Sequence, residues 1–445
     1  LPSQIALITI IIFVFIIIII EHRQSRISGA AIWILSIWLL YSGSKGIGSF
    51  LNINSTIESG SPSDRYFLFG IGIIAILVLL KRKFQWGQIL KRNWLIVLIL
   101  AYMLLSVTWA KDPGISFRGW GRQAIALIMM CLLVSEESPV ESFVSAFRKT
   151  VYAYLPFSLL LIKYFPLYGR QYNRWTGEVS WVGLSSQKNG LALFCTFSII
   201  FLVWSIWQNL VNWRKLTSKL LLLVDIFMLM LSIYLMMGPK RTLNYSATSL
   251  LSLLTGLIAM LILKLAVEKE IQLYKKVTII VLIFLLIGTS MPFSGKIPIK
   301  DLAQILGRSE TLTGRTDIWN TLLPYAQKHI ILGYGFGGFW TTSLREEIAS
   351  HAHNGYLDTI LNLGIVGLIL FIVFLVKIAG TCARLIDSKW NIFLLFLTMI
   401  FMYIVHNMAE ALLGDFHSIP SILIAFIYFL ANEEQNKKNV KLIES

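Results

Sequence analysis

The chain of 445 residues is 56% hydrophobic and 14% charged, with a formal net charge of +16 at pH 7. Soluble domains carry about 25% charged residues, and here the apolar residues form long unbroken runs, so a soluble globular fold is excluded. The basic excess is not a nucleic-acid footprint, because Lys and Arg gather in segments between apolar runs, where they set membrane orientation.

Thirteen runs suit helices crossing a hydrocarbon layer of ~30 Å. They centre near Phe13, Leu35, Ile74, Leu100, Leu127, Leu159, Ile199, Met228, Leu254, Phe284, Ile369, Leu397 and Ile424. Those at Leu35 and Leu127 are the weakest, so twelve spans is the alternative count. The first run, Ile5 to Ile20, lacks a basic leader and a small-residue cleavage site, so it is expected to be a span rather than a signal peptide. The loops densest in Lys and Arg follow the odd-numbered runs, above all Lys81, Arg82, Lys83, Lys91 and Arg92. Those loops are predicted to be cytoplasmic, with the N-terminus outside and the C-terminus inside. Cys131, Cys195 and Cys382 sit in or beside apolar runs at no metal-like spacing, which implies neither a disulfide framework nor zinc. The expected organisation is all-α and polytopic: spans with short loops over 1–291, one long extracytoplasmic loop over 292–352, further spans over 353–432 and a cytoplasmic tail over 433–445.

The long outer loop carries the densest chemistry. Pro292-Phe-Ser-Gly is predicted to end a helix. Residues 315–328 read as an amphipathic helix with Ile318, Trp319, Leu322 and Leu323 on one side. Gly333-Tyr-Gly-Phe-Gly-Gly338 reads as a flexible turn, and with no Gly-Lys-Ser/Thr after it, it is no nucleotide loop. The loop closes on His351-Ala-His353-Asn354. Asn354 is expected to cap the next helix. His353, with an unperturbed pKa of about 6.5, can take a proton at neutral pH; a solvated interfacial imidazole is the plainer alternative. Asp358 then falls inside a span, where a carboxylate needs a partner.

Outer loops should be poor in basic residues, yet these hold Arg170, Arg174, Lys188, Lys240, Arg241, Arg308 and Arg315. The cations call for anions, either a bound phosphate or outer-leaflet headgroups reached by snorkelling. Arg241 and Arg315 offer the fork that matches phosphate oxygens in pairs. Asp225 lies within a span. His406 and Glu410, four residues apart, are expected on one helix face, as a structural pair or a proton relay. Asp-x-Asp, His-Glu-x-x-His and Gly-x-Ser-x-Gly do not occur.

Together these segments resemble the O-antigen ligase and polymerase superfamily of bacterial membrane glycosyltransferases. The resemblance is carried by Gly314-Arg315-Thr-Asp-Ile-Trp319, Gly333-Tyr-Gly335-Phe-Gly337-Gly-Phe339 and His351-Ala-His353-Asn354-Gly-Tyr-Leu357, with Gly364-Ile-Val-Gly367 nine residues further on. Trp109-Ala-Lys-Asp112-Pro113 and Trp181-Val-Gly183 with Gln187-Lys188-Asn189-Gly190 add weaker matches. Two departures are Lys240-Arg241-Thr242, where the family often has Ser-Arg-Gly, and Gln187, where it often has His.

The resemblance implies a GT-C-like fold with its active site on the periplasmic face of the bacterial inner membrane. Such enzymes move a glycan from an undecaprenyl-pyrophosphate-linked donor to an acceptor hydroxyl, with no metal or other cofactor expected. Arg241 and Arg315 would hold the pyrophosphate, and His353 would deprotonate or orient the hydroxyl. Arg170, Arg174, Lys188 and Lys240 would hold or steer substrate, with His351, Asn354 and Trp319 on the substrate side. Trp175, Trp181, Trp319, Phe339 and Trp340 suit sugar faces or interfacial anchoring. The function expected is polymerisation of lipid-linked repeats into surface polysaccharide. Transfer to lipid A-core, transfer to protein, and transport of the lipid-linked glycan are the alternatives. Membrane lipids and other polysaccharide-assembly proteins are the expected partners.

Overall fold

The computed structural model describes residues 2–25, 27, 29–51, 61–82, 84–172, 177–211, 216–239, 246–269, 272–294, 310–387 and 389–444. Arg174, Trp175, Lys240, Arg241 and Arg308 lie outside them. In chain order the main helices are α1 (Ser3–Ser25), α2 (Ala30–Gly43), α3 (Pro62–Lys81), α4 (Trp86–Arg92), α5 (Trp94–Ser106), α6 (Pro113–Val134), α7 (Pro139–Tyr164) and α8 (Lys188–Val211). They continue with α9 (Leu216–Met237), α10 (Ala247–Glu268), α11 (Leu273–Ser294), α12 (Glu310–Lys328), α13 (Thr342–Glu347), α14 (Gly355–Leu385), α15 (Trp390–His406) and α16 (Ile419–Glu444). Among the described residues the only sheet is an antiparallel pair, β1 (Arg170–Tyr172) with β2 (Val179–Trp181).

The chain is a multi-pass, all-α membrane protein, and every one of the thirteen expected centres falls within a helix. Among the described residues, eight helices have the length and apolarity to cross a bilayer unaided. A ninth span arises if α4 and the helical stretch Trp94–Trp109, bent by 89°, count as one. Asn93 sits at that bend, fully buried, donating to the Ile89 carbonyl (2.9 Å) and accepting from Asn432 (2.9 Å). The side chain adds to the backbone bond that Asn93 makes to Ile89 (3.1 Å) and ties the bend to α16. Two helix ends have a physical cause. α11 runs through Pro292 to Ser294, since a proline in a last turn costs only one helical hydrogen bond. α16 continues through the expected tail to Glu444, helped by pairing of Glu434 with Lys389 (2.7 Å) and Lys437 (3.1 Å).

Two compact units are formed. The first comprises Leu1–Ser55, Ser61–Phe84 and Ile128–Leu253. Its centre is α7, packed on α1, α2 and α9. Lys149 of α7 pairs with Glu21 of α1, both side chains buried. Asp225 of α9 accepts from the Tyr152 and Ser205 hydroxyls (each 2.6 Å) and from Asn209 (3.1 Å), while Arg148 donates to Ser205 (2.6 Å). The ionisable groups within these helices are thus held in a polar network, and stripping one partner from such a pair costs about 3–5 kcal/mol.

The second unit comprises Thr56–Gly60, Gln85–Leu127 and Leu254–Ser445. Its organiser is α14, against which α5, α11, α12, α15 and α16 pack. This helix is interrupted at Gly364, whose φ of 65° and ψ of −171° are not helical. A Cβ there would lie 2.1 Å from the Ile331 carbonyl oxygen, so only glycine admits the approaching strand of backbone. The peptide groups released by the break find partners in that backbone: Ile365 donates to the Ile330 carbonyl (2.8 Å) and Tyr334 to that of Leu361 (2.9 Å). The Gly333–Gly338 segment is accordingly a hydrogen-bonded turn docked on α14, rather than the flexible one expected.

Candidate active site

The sequence of α12 sets the first catalytic candidate. Arg315, Trp319, Leu322 and Ala326 recur at helical spacing; Trp319, Leu322 and Ala326 are buried, and Arg315, at 15% side-chain exposure, shares their stripe. An amphipathic helix buries that stripe, so the guanidinium is carried inward with it. Trp319 locks the helix by donating its Nε1 to the Ala352 carbonyl (2.9 Å). Trp319 is therefore a structural anchor for the segment bearing the histidines, not an open sugar platform.

Asn354 does what its residue type predicts, and more. Its Oδ1 accepts from the Tyr356 and Leu357 amides (3.1 and 2.9 Å), capping α14. Its Nδ2 donates to the carbonyls of Gly288 (3.3 Å) and Met408 (3.2 Å). A fully buried amide with both ends engaged is a clamp between α11, α14 and the segment after α15, and it has no hydrogen-bonding capacity aimed at a substrate. Asp358, one turn into α14, accepts from Trp340 Nε1 (2.8 Å), the Ala352 amide (3.1 Å) and Asn362 (3.2 Å). These are the partners that a carboxylate at this depth requires.

Between the Trp319 anchor and the Asn354 cap, His353 adopts a φ of 49°, the sole positive value at a non-glycine among the described residues. Strain of this kind is held only where surroundings over-determine it. Here the turn lets the His353 amide donate to His351 Nδ1 (3.1 Å). A nitrogen that accepts cannot carry the proton, so neutral His351 bears it on Nε2.

Both imidazoles face one carboxylate. Glu410 Oε2 lies 3.6 Å from His351 Nε2 and 3.6 Å from His353 Nδ1, while its Oε1 receives Arg315 at 3.2 Å. α15 ends at His406, so Glu410 belongs to the turn beyond it and does not share a helix face with His406, contrary to the sequence expectation. Burial alone would raise the Glu410 pKa. The His353 contact and the charge of Arg315 outweigh it and hold the carboxyl at about 2. Burial, followed by the neighbouring His353, lowers the pKa of His351, which keeps that ring neutral at pH 7. His353 Nδ1 is buried without a hydrogen-bond partner among the described residues. At 3.6 Å it is beyond hydrogen-bond length, in the range that tightens when a site closes on substrate. A proton on Nδ1, facing Glu410, leaves the lone pair on Nε2.

His351, His353 and Glu410 offer three donor atoms within 4.8 Å of one another, a set that could hold a divalent transition metal. The local chemistry favours hydrogen bonding instead. His351 presents an N–H at the shared point, and Arg315 already supplies a cation to Glu410.

Of the remaining candidates, Arg170 and Lys188 belong to the first unit. Arg170 opens β1 and donates Nε to the Ile162 carbonyl (2.8 Å), which ties the strand to the end of α7. Lys188 is the first residue of α8. Glu410, which the sequence singles out only as a partner of His406 and not as a partner of Arg315, His351 and His353, is the further member of the site.

The comparisons with known proteins bear on this part of the chain. Residues 241–372, which include Arg315, the two histidines and the Gly364 break, match the family model described as O-antigen ligase. The chain is also similar to the exopolysaccharide production protein ExoQ of Rhizobium meliloti (strain 1021). Identity is 21% over 338 residues, covering 71% of this chain and 71% of that protein.

Proposed function

We propose, for this member of the O-antigen ligase and polymerase superfamily, a membrane glycosyltransferase that polymerises undecaprenyl-pyrophosphate-linked oligosaccharide repeats on the extracytoplasmic face of the bacterial inner membrane. The observation that carries it is the convergence of Arg315, His351 and His353 on the buried carboxylate of Glu410. In this reading the acceptor hydroxyl attacks the anomeric carbon of the donor glycan from the face opposite the leaving group. The bond from that carbon to the pyrophosphate oxygen breaks, its electrons leave with the pyrophosphate, and the anomeric centre inverts. His353 Nε2 takes the hydroxyl proton, and Glu410 steadies the imidazolium through Nδ1–H. Arg315 stabilises the charge growing on the pyrophosphate, with Arg241 as its second clamp by position and chemistry. Pyrophosphate is a good leaving group when so paired, and no step asks for a metal.

A specific finding also supports O-antigen ligation to lipid A-core: the description of the family matching residues 241–372. The name of the relative, an exopolysaccharide production protein, supports polymerisation. One experiment separates them. Purified chain in lipid receives a cognate undecaprenyl-pyrophosphate-linked repeat as sole substrate, with EDTA present, beside His353→Ala. A ladder of longer lipid-linked glycans from wild type alone supports the polymerase. No ladder, followed by transfer once lipid A-core is added, replaces it with the ligase.

A further inference from the structure

Beyond the His–Glu–Arg cluster, the second unit holds a pocket of about 440 Å³ at the far end of α12. Its lining includes Lys111, Tyr325, Lys328, Tyr334, Phe339 and Ser343. Three aromatic rings are grouped here: Tyr325 and Tyr334 lie 5.7 and 5.1 Å from Phe339, centroid to centroid. Phe339 is buried, and Tyr325 is 38% exposed, so the cluster has a fixed base and an open ring. Tyr334 donates to the Tyr325 carbonyl (3.3 Å), which holds the two tyrosines in register. Lys111 and Lys328, both exposed, line the same pocket, and among the described residues neither forms an ion pair. The volume is that of a small-ligand site. An apolar ring face suits the C–H face of a pyranose, and two free ammonium groups suit an anionic substituent on it.

From Arg315 to Lys328 the helix rises roughly 20 Å. A ligand here cannot be the reacting sugar, but it can be a sugar several units along the same chain. We propose that this pocket is a glycan subsite that binds an acidic sugar, carrying a carboxylate, of the chain being extended. The proposal rests on the reading of the protein as a glycan transferase and narrows its substrate to anionic repeats. An aromatic face in the same pocket as the two lysines is what stacking on a sugar ring uses and what a phosphate group alone does not require.

The test measures binding rather than turnover, so that it stands whether or not polymerisation is observed. Full-length protein in nanodiscs of phosphatidylcholine is titrated calorimetrically with tri-galacturonate, with a neutral maltotriose and with glycerophosphate as a soluble headgroup mimic. Wild type and His353→Ala should bind tri-galacturonate alike, and both should bind it more tightly than either other probe. Lys111→Gln/Lys328→Gln should weaken it about tenfold or more, and Tyr325→Ala should weaken tri-galacturonate and maltotriose together. Because these side chains are exposed, helical content by circular dichroism should be unchanged. The proposal is overturned if the double Gln variant binds tri-galacturonate as wild type does, if maltotriose binds equally well, or if glycerophosphate matches the uronate, which would make the pocket a headgroup site.

Discussion

At the scale of single residues, Glu410 organises the candidate site through three contacts. His353→Ala should lower transfer by about 10²–10⁴, read as the initial rate of ladder formation. A near-normal rate would remove His353 from the chemistry. Arg315→Lys should lose most activity although charge is kept, because the planar fork that can serve Glu410 and a phosphate is lost. Glu410 also makes a pH prediction. Its folded pKa of about 2 lies below the ordinary 4.5, so its ionised form stabilises the fold fully above about pH 4.5. That contribution disappears as pH falls through about 2. The melting-temperature difference between wild type and Glu410→Gln should therefore be constant above pH 4.5 and shrink below it; a difference that grows on acidification would contradict the assignment.

Elements position those residues through two devices at either end of one segment. The Asn354 cap begins α14, and the Gly364 break lets the Gly333–Gly338 turn dock against it. Asn354→Ala loses the capping acceptor and the Nδ2 donors to Gly288 and Met408. It should be less stable than wild type by at least about 1 kcal/mol, the usual worth of a cap, measured by thermal unfolding in detergent. Equal stability would mean that the cap contributes nothing here. At Gly364 the demand is steric. A Cβ would meet the Ile331 oxygen at 2.1 Å, and the backbone is left-handed. Gly364→Ala should cost at least about 1–3 kcal/mol and loosen the docked turn, which faster amide exchange at Tyr334 and Ile365 would report.

At the scale of the whole molecule, the buried ionic network of the first unit and the candidate site of the second call for different chemistry. Lys149 with Glu21, and Asp225 among its hydroxyl donors, are buried pairings within helices. The Glu410 cluster is only partly closed: His351 and His353 keep 27% and 25% of their side-chain surface exposed. A charged cluster left accessible is where a substrate can enter. Since Arg315 supplies the cation at Glu410, chelation should not matter. Transfer rates with EDTA should equal those without, and loss restored by a divalent ion would instead place a metal on His351, His353 and Glu410.

Much of this protein was decided locally and so was legible in the sequence. Long apolar runs must become helices because a bilayer leaves backbone groups no other partner, and all thirteen centres obeyed. Asn354 as a cap and an amphipathic helix that buries Trp319 and Leu322 followed from spacing alone, since a helix's own geometry decides them; that Arg315 shares the buried side did not. The rest required the fold. Arg315 and Glu410 are 95 residues apart in the chain, and no periodicity links them. Trp319 suits a sugar face by residue type, but its indole holds the Ala352 carbonyl. His406 and Glu410 have helical spacing, but the helix ends between them. In each case the deciding partner comes from a different helix or turn, and only the packing of α11, α12 and α15 around α14 brings those partners within hydrogen-bonding or ion-pair distance.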